Sequence, residues 1–222
     1  DLLIQTIIEH FKTPERELDE DPIMFVARSF DINKPGTKHE KISGGVLGGA
    51  LRVGKLKIGD KIEIKPGKKA DKENKIIWEP IQTEIVSIMS DKDALKEVTP
   101  GGSIALLTRL DPSIVKSDSL SGNIVGFPGK LPETFLEIKL TPTLLDRVIG
   151  TESEIKVDPI KKGETLMLNV NAATTVGIVT ELSKNAFKAK LKLPICAKKD
   201  DKITISRLLG HRFRLIGYGT IN

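Results

Sequence analysis

The 222-residue chain has one cysteine and three histidines, and it has no apolar run near the ~18 residues that a membrane-spanning helix requires. The lone Cys196 cannot form an internal disulfide, which excludes a disulfide-stapled secreted scaffold. His10, His39 and His211 are too scattered for metal-ligand spacing, so no metal site is expected. No opening stretch combines a basic start with an apolar middle. A cytoplasmic protein with no membrane partner is expected.

A phosphate loop is missing too. The nearest approach is in "GKLKIGDK", where Gly54 and Gly59 have the required spacing but Asp60 occupies the lysine position and Lys61 the hydroxyl position. An aspartate aimed at a triphosphate repels it. The glycine-rich "ISGGVLGGALRVGKLKIGDKIEI" of residues 42–64 therefore reads as a barrel corner rather than a nucleotide cradle. His39, Asp60 and Ser103 stand in the order of a serine-protease triad, but "TPGGSIA" lacks the glycines after the serine that would serve an oxyanion hole. No catalytic residue is assigned.

What is present points to a globular protein. Charged residues make up 29% and hydrophobic residues 39%, and the length allows one large or two small domains. Charge is uneven. Residues 1–21 hold seven acidic side chains against two basic ones, whereas residues 187–222 hold nine Lys or Arg against Asp200 and Asp201. That basic end favours a polyanionic partner. An ordinary solvated strand face would also explain Lys188, Lys190 and Lys192, which alternate with apolar residues.

In "DLLIQTIIEHFKTP" the residues Leu3, Ile4, Ile7, Ile8 and Phe11 follow helix spacing, with Asp1 as a cap and Pro14 as a stop. A helix this short is marginal unless its stripe is covered. The acidic "PERELDEDP" reads as a linker. After Pro22 the period changes to two. Ile58, Ile62 and Ile64 alternate with polar neighbours, as do Leu136, Ile138 and Leu140, and Phe187, Ala189, Leu191 and Leu193. Turn signals such as "NKPG", "KPGK", "TPGG" and "IKKG" separate the strands, and only "TPTLLDRVIG" looks able to form a short helix. The expected class is all-β, two consecutive β-barrels preceded by one short helix, divided as residues 1–21, 22–127 and 130–222 around Gly126, Pro128, Gly129 and Pro132.

Several segments resemble one family. "VARSFDINKPGT", "GGVLGG" and "GKLKIGDKIEIKPG" resemble the second domain of the archaeal and eukaryotic translation initiation factor two gamma subunit, as does "VTPGGSIALLTRLDPSIVKSDSLSGNIVG". "VDPIKKGETLMLNVNAATTVGIV" and "HRFRLIGYGTI" resemble its third domain, and the opening helix resembles the end of its GTPase domain. The family is related to elongation factor Tu. The resemblance implies a GTP-dependent carrier of methionyl initiator transfer RNA to the small ribosomal subunit, acting as the core of a heterotrimer with alpha and beta subunits.

This sequence has no D-x-x-G and no guanine-reading N-K-x-D; "NKPG" at residues 33–36 lacks the aspartate. No enzyme activity and no cofactor are therefore expected of this chain, although the full-length family uses GTP and magnesium. The resemblance implies a transfer-RNA acceptor-end pocket at Ile42, Gly44, Gly45, Val46 and Gly48, with Leu106 as a further wall. It implies an alpha-subunit surface at Asn33, Lys34, Lys65, Lys68 and Lys69, a beta subunit held by the absent GTPase domain, and ribosomal RNA contact through Lys198, Lys199, Arg207, Arg212 and Arg214. A free-standing RNA-binding or ribosome-associated barrel pair is the alternative.

Overall fold

The computed structural model describes residues 2–11, 15–72, 75–150 and 154–222. Helix α1 (Leu2–His10) forms where the apolar spacing places it, yet no residue of it is buried: Leu2 is 80% exposed, and Phe11 just after it 77%. The cap and stop expected at Asp1 and Pro14 lie outside the described residues. The acidic segment after it returns to the barrel surface, where Glu17 accepts the Gly54 N–H at 2.8 Å and Asp21 pairs with Lys130 at 3.4 Å.

The first barrel is built from β1 (Ile23–Phe30), β2 (Val46–Val53), β3 (Leu56–Lys57), β4 (Lys61–Lys72), β5 (Lys75–Ser90), β6 (Asp93–Leu95), β7 (Glu97–Val98), β8 (Ile104–Thr108), a single-turn helix α2 (Pro112–Val115) and β9 (Ile124–Gly126). Strands β4, β9, β1, β2, β8 and β5 pair in that order, and β5 returns to β4, which closes a six-stranded ring. Strand β6 extends it beside β5, and β3 pairs with β7. The second barrel comprises β10 (Thr134–Leu144), β11 (Thr165–Val170), β12 (Ala173–Leu182), β13 (Phe187–Cys196), β14 (Lys202–Leu209) and β15 (Arg212–Ile221), closed in the order β10, β13, β12, β11, β14, β15. Closure leaves no free edge in either ring.

Alternation builds each core. Ile104, Leu106 and Thr108 of β8 are buried while Ala105 and Leu107 between them are not, because successive side chains point to opposite faces. Met24, Leu47, Ile62, Ile85 and Leu106 meet inside the first ring, and Leu140, Leu168, Val179, Phe187 and Ile205 inside the second. Between the rings, Ile124, Leu131 and Cys196 form a small apolar seam with Phe25.

The structure corrects the pattern reading in four places. Ile58 is 46% exposed, in the turn between β3 and β4 rather than on a strand. Leu136 is 48% exposed because a bulge between Phe135 and Glu137 turns it outward. Leu193 is exposed as well; pairing with β10 passes from Lys190 opposite Glu137 to Ile195 opposite Phe135, which resets the alternation. "TPTLLDRVIG" is not a helix: its first four residues complete β10 and pair with β15, opposite Thr220, Gly219, Tyr218 and Gly217. The Leu140–Phe187 pair is the last that β10 makes with β13, so the missing N–H of Pro142 interrupts no second ladder.

The glycine-rich corner lies where β2 crosses β1. Val26 faces Gly49 and Arg28 faces Gly48, so Ala27 is an extra residue in a bulge. A Cβ on Gly49 would overlap the Phe25 carbonyl oxygen, and only glycine admits that approach.

Candidate functional site

Strands β1 and β2 part after the Phe30–Val46 pair, and the chain between them forms a long loop. Its ends are joined by a side chain. Asn33 Oδ1 accepts the Ser43 N–H at 2.8 Å, and Asn33 Nδ2 donates to the Ser43 carbonyl and to Asp31 Oδ1, each at 2.7 Å. The loop contains one 3-10 turn at His39–Lys41 and faces the segment 109–116 across an open cavity of about 960 Å³. Ile42, Val86 and Leu107 supply apolar wall; Lys34, Arg109 and Lys116 supply positive charge.

The opposite wall is held by carboxylates. Asp111 caps α2 by accepting the Ser113 N–H at 2.8 Å. Asp118 accepts from Arg28 Nε at 2.9 Å and from the Ser29 N–H at 3.0 Å. Fully buried Ser29 donates to the Val115 carbonyl and accepts the Leu120 N–H, which fixes this segment over the barrel mouth. These bonds favour the charged carboxylates. Hydrogen bonds from Ser113 lower the pKa of Asp111, and those from Arg28 and then Ser29 lower that of Asp118. For Asp31 the Asn33 N–H is the largest cause, and Lys116, 3.7 Å away, adds to it.

The expected acceptor-end residues divide into three groups. Ile42 and Gly44 line the cavity. Gly45 and Gly48 are not among the residues that line it: Gly45 is buried, where a Cβ would strike the Val115 side chain, and Gly48 is half-buried on β2, its nearest possible Cβ contact being Arg28 at 3.7 Å. Val46 is 5% exposed and Leu106 is fully buried in the barrel core, so neither side chain presents a wall to a ligand. Period two explains the displacement: the outward neighbour of Leu106 is Leu107, and Leu107 lines the cavity. Arg109, Lys116 and Val86 were missed because only the fold brings them to the loop. A Cβ on Gly44 would overlap the Thr108 carbonyl oxygen, so this glycine also sets how closely the loop seats on β8.

The expected alpha-subunit residues are also divided. Lys34 is exposed on the loop, and Lys68 and Lys69 are exposed on the β4–β5 arm, opposite Glu79 and Trp78. Lys65 sits at the base of the arm, only 20% exposed in its side chain, and pairs with buried Glu63 at 3.6 Å. Asn33 has both amide atoms engaged within the chain. The side chain of Lys75 lies outside the described residues. In the second barrel Lys198, Lys199 and Arg212 are exposed. Arg207 is turned inward, bonding Glu164 Oε1 at 2.5 Å and the carbonyls of Asp158 and Pro159.

Among the described residues no group of three or more His, Cys, Asp or Glu could hold a metal ion, and no helix is long and apolar enough to cross a membrane.

Residues 136–221, nearly the whole second barrel, match the family described as initiation factor eIF2 gamma, C terminal. Along all 221 aligned residues the chain is 50% identical to translation initiation factor 2 subunit gamma of Methanocaldococcus jannaschii. The second barrel is an initiation factor eIF2 gamma C-terminal domain, and the whole chain is similar to the C-terminal part of initiation factor two gamma subunits. The gamma subunits of Pyrococcus furiosus and Methanococcus maripaludis are 49% and 48% identical to it over the same length. In each case the alignment takes in 100% of this chain and 54% of the relative, so the chain spans about half the length of the curated relatives it matches. The gamma-family match thus extends over both barrels and the opening helix.

Proposed function

We propose that this chain serves translation initiation as a binding surface, with its first barrel receiving the acceptor end of methionyl initiator transfer RNA for delivery to the small ribosomal subunit. The observation that carries the reading is the cavity between the 31–44 loop and residues 109–116, which sets apolar Ile42, Val86 and Leu107 beside cationic Lys34, Arg109 and Lys116. An unstacked terminal base needs an apolar contact, and the phosphates next to it need cations. The alpha subunit docks on the same barrel through Lys34, Lys68 and Lys69, a basic array suited to steering an acidic partner. The beta subunit and GTP are assigned to none of these residues, and the chain works without a catalytic step.

The test is a titration of the chain with methionylated and uncharged initiator transfer RNA at two salt concentrations. The reading expects binding that weakens with salt and is stronger for the methionylated form. Equal binding of the two forms, or no binding at low salt, overturns it. A pull-down with purified alpha and beta subunits separates the partners: alpha is retained and beta is lost.

A further inference from the structure

We propose that Asn33 is a positioning residue that forms the loop wall of the cavity before any ligand arrives; this rests on the reading of the cavity as an acceptor-end site. Strand pairing between β1 and β2 stops at Phe30 and Val46, so the loop beyond them has no ladder to hold it. The Asn33 carboxamide replaces that ladder. It is matched to both backbone groups of Ser43, accepting its N–H at 2.8 Å and donating to its carbonyl at 2.7 Å, as a paired strand residue would. Its remaining N–H goes to Asp31 Oδ1, which also accepts the Asn33 backbone N–H at 2.8 Å. Asp31 in turn faces Lys116 on the opposite wall. One side chain therefore closes the loop on itself and, through Asp31, registers it against the segment across the cavity.

Two features make this a positioning role. Residues 38–42 are exposed, so the body of the loop has little packing of its own to order it. The residues next to the staple are those placed at the ligand: Lys34 on one side, Ile42 and Gly44 on the other. Ordering such a loop on binding would cost affinity that a preformed loop retains.

The replacement must reproduce all the bonds. Asn33→Ala removes them. Asn33→Asp keeps an acceptor for the Ser43 N–H but sets a carboxylate against Asp31 and the Ser43 carbonyl, so it does not rescue. The experiment follows hydrogen exchange of the full chain and its two variants, together with their affinity for methionylated initiator transfer RNA. Expected are faster exchange at the Ser43, Ile42 and Lys41 amides, a dissociation constant raised about tenfold by loop ordering, and an unchanged midpoint of thermal unfolding. Unchanged exchange in Asn33→Ala, full rescue by Asn33→Asp, or equal affinity overturns the proposal. If the unaltered chain binds no transfer RNA, the acceptor-end reading fails by itself, and the exchange at Ser43 still decides whether Asn33 forms the wall.

Discussion

Glu63 accepts the backbone N–H of Gly129 at 3.2 Å, so a side chain of the first barrel grips the connection to the second. Glu63 is 7% exposed, and its other partner, Lys65 Nζ, lies 3.6 Å away. A buried carboxylate persists only where such partners satisfy it. Glu63→Ala would leave the Gly129 amide and Lys65 without a partner, and calorimetry should show a loss of ~1–3 kcal/mol. Glu63→Gln keeps an acceptor for Gly129 and should lose less. A wild-type unfolding profile for Glu63→Ala would show that the grip contributes nothing.

The glycine corner separates structural from ligand roles. Gly44 and Gly49 each lie against a backbone carbonyl that an alanine Cβ would strike, whereas at Gly48 the nearest atom is 3.7 Å away. Gly49→Ala should lower stability by ~1–3 kcal/mol, since the obstacle is backbone and cannot step aside. Gly48→Ala should unfold like the parent chain. Gly48→Leu should fold and bind transfer RNA less tightly if the acceptor end passes over β2. Undiminished affinity in that variant would remove Gly48 from the site.

The barrels themselves were legible because period two survives from Ile138 to Leu140 in β10 and in the first half of β13, where Phe187, Ala189 and Leu191 point inward. Reading failed where the period resets. The bulge at Leu136 and the jump in pairing before Ile195 obey tertiary register, which no local pattern encodes. The site was half visible: "NKPG" and "GGVLGG" marked the loop and the corner, but Arg109 and Lys116 reach the cavity only after β8 has paired with β2. Lys65 misled because its sequence neighbours are exposed lysines, while Pro66 and Gly67 beside it are already buried against β5 and β9.

Arg207 should behave as a structural residue. Its side chain and that of Glu164 are 14% and 16% exposed, and the guanidinium also binds the carbonyls of Asp158 and Pro159. Arg207→Ala takes the cation from half-buried Glu164, which keeps only the Lys161 N–H, and removes the donor to two carbonyls, so it should cost ~2–4 kcal/mol. Arg207→Lys should recover little, because an ammonium cannot span three acceptors held in a fork. Full stability in the lysine variant, measured by denaturant titration, would contradict this geometry.

Acid should loosen the wall formed by residues 111–120. The folded-state pKa of Asp118 lies below its ordinary value, chiefly through Arg28 and then the Ser29 N–H. The stability this carboxylate supplies is therefore present at neutral pH and is lost as the pH falls through the folded-state value. Asp118→Asn should flatten the acid limb of the stability curve and change little at its foot, where the native carboxyl is already protonated. An acid limb of unaltered slope would mean that other carboxylates carry it.

Cys196 offers a probe of the seam. Burial, opposed only partly by the hydrogen bond with Thr134, raises its pKa to about 11. At pH 8 the thiolate fraction is then ~100-fold below that of a thiol titrating at 9, and access to a reagent is restricted as well. Labelling of the folded chain by a thiol reagent should be slow at pH 8, and denaturant should release it. Because Cys196 packs with Ile124 and Leu131 between the rings, Glu63→Ala should speed labelling at denaturant concentrations where both barrels remain folded. If labelling instead follows global unfolding in both proteins, the seam opens only when a barrel does, and Glu63 does not control it.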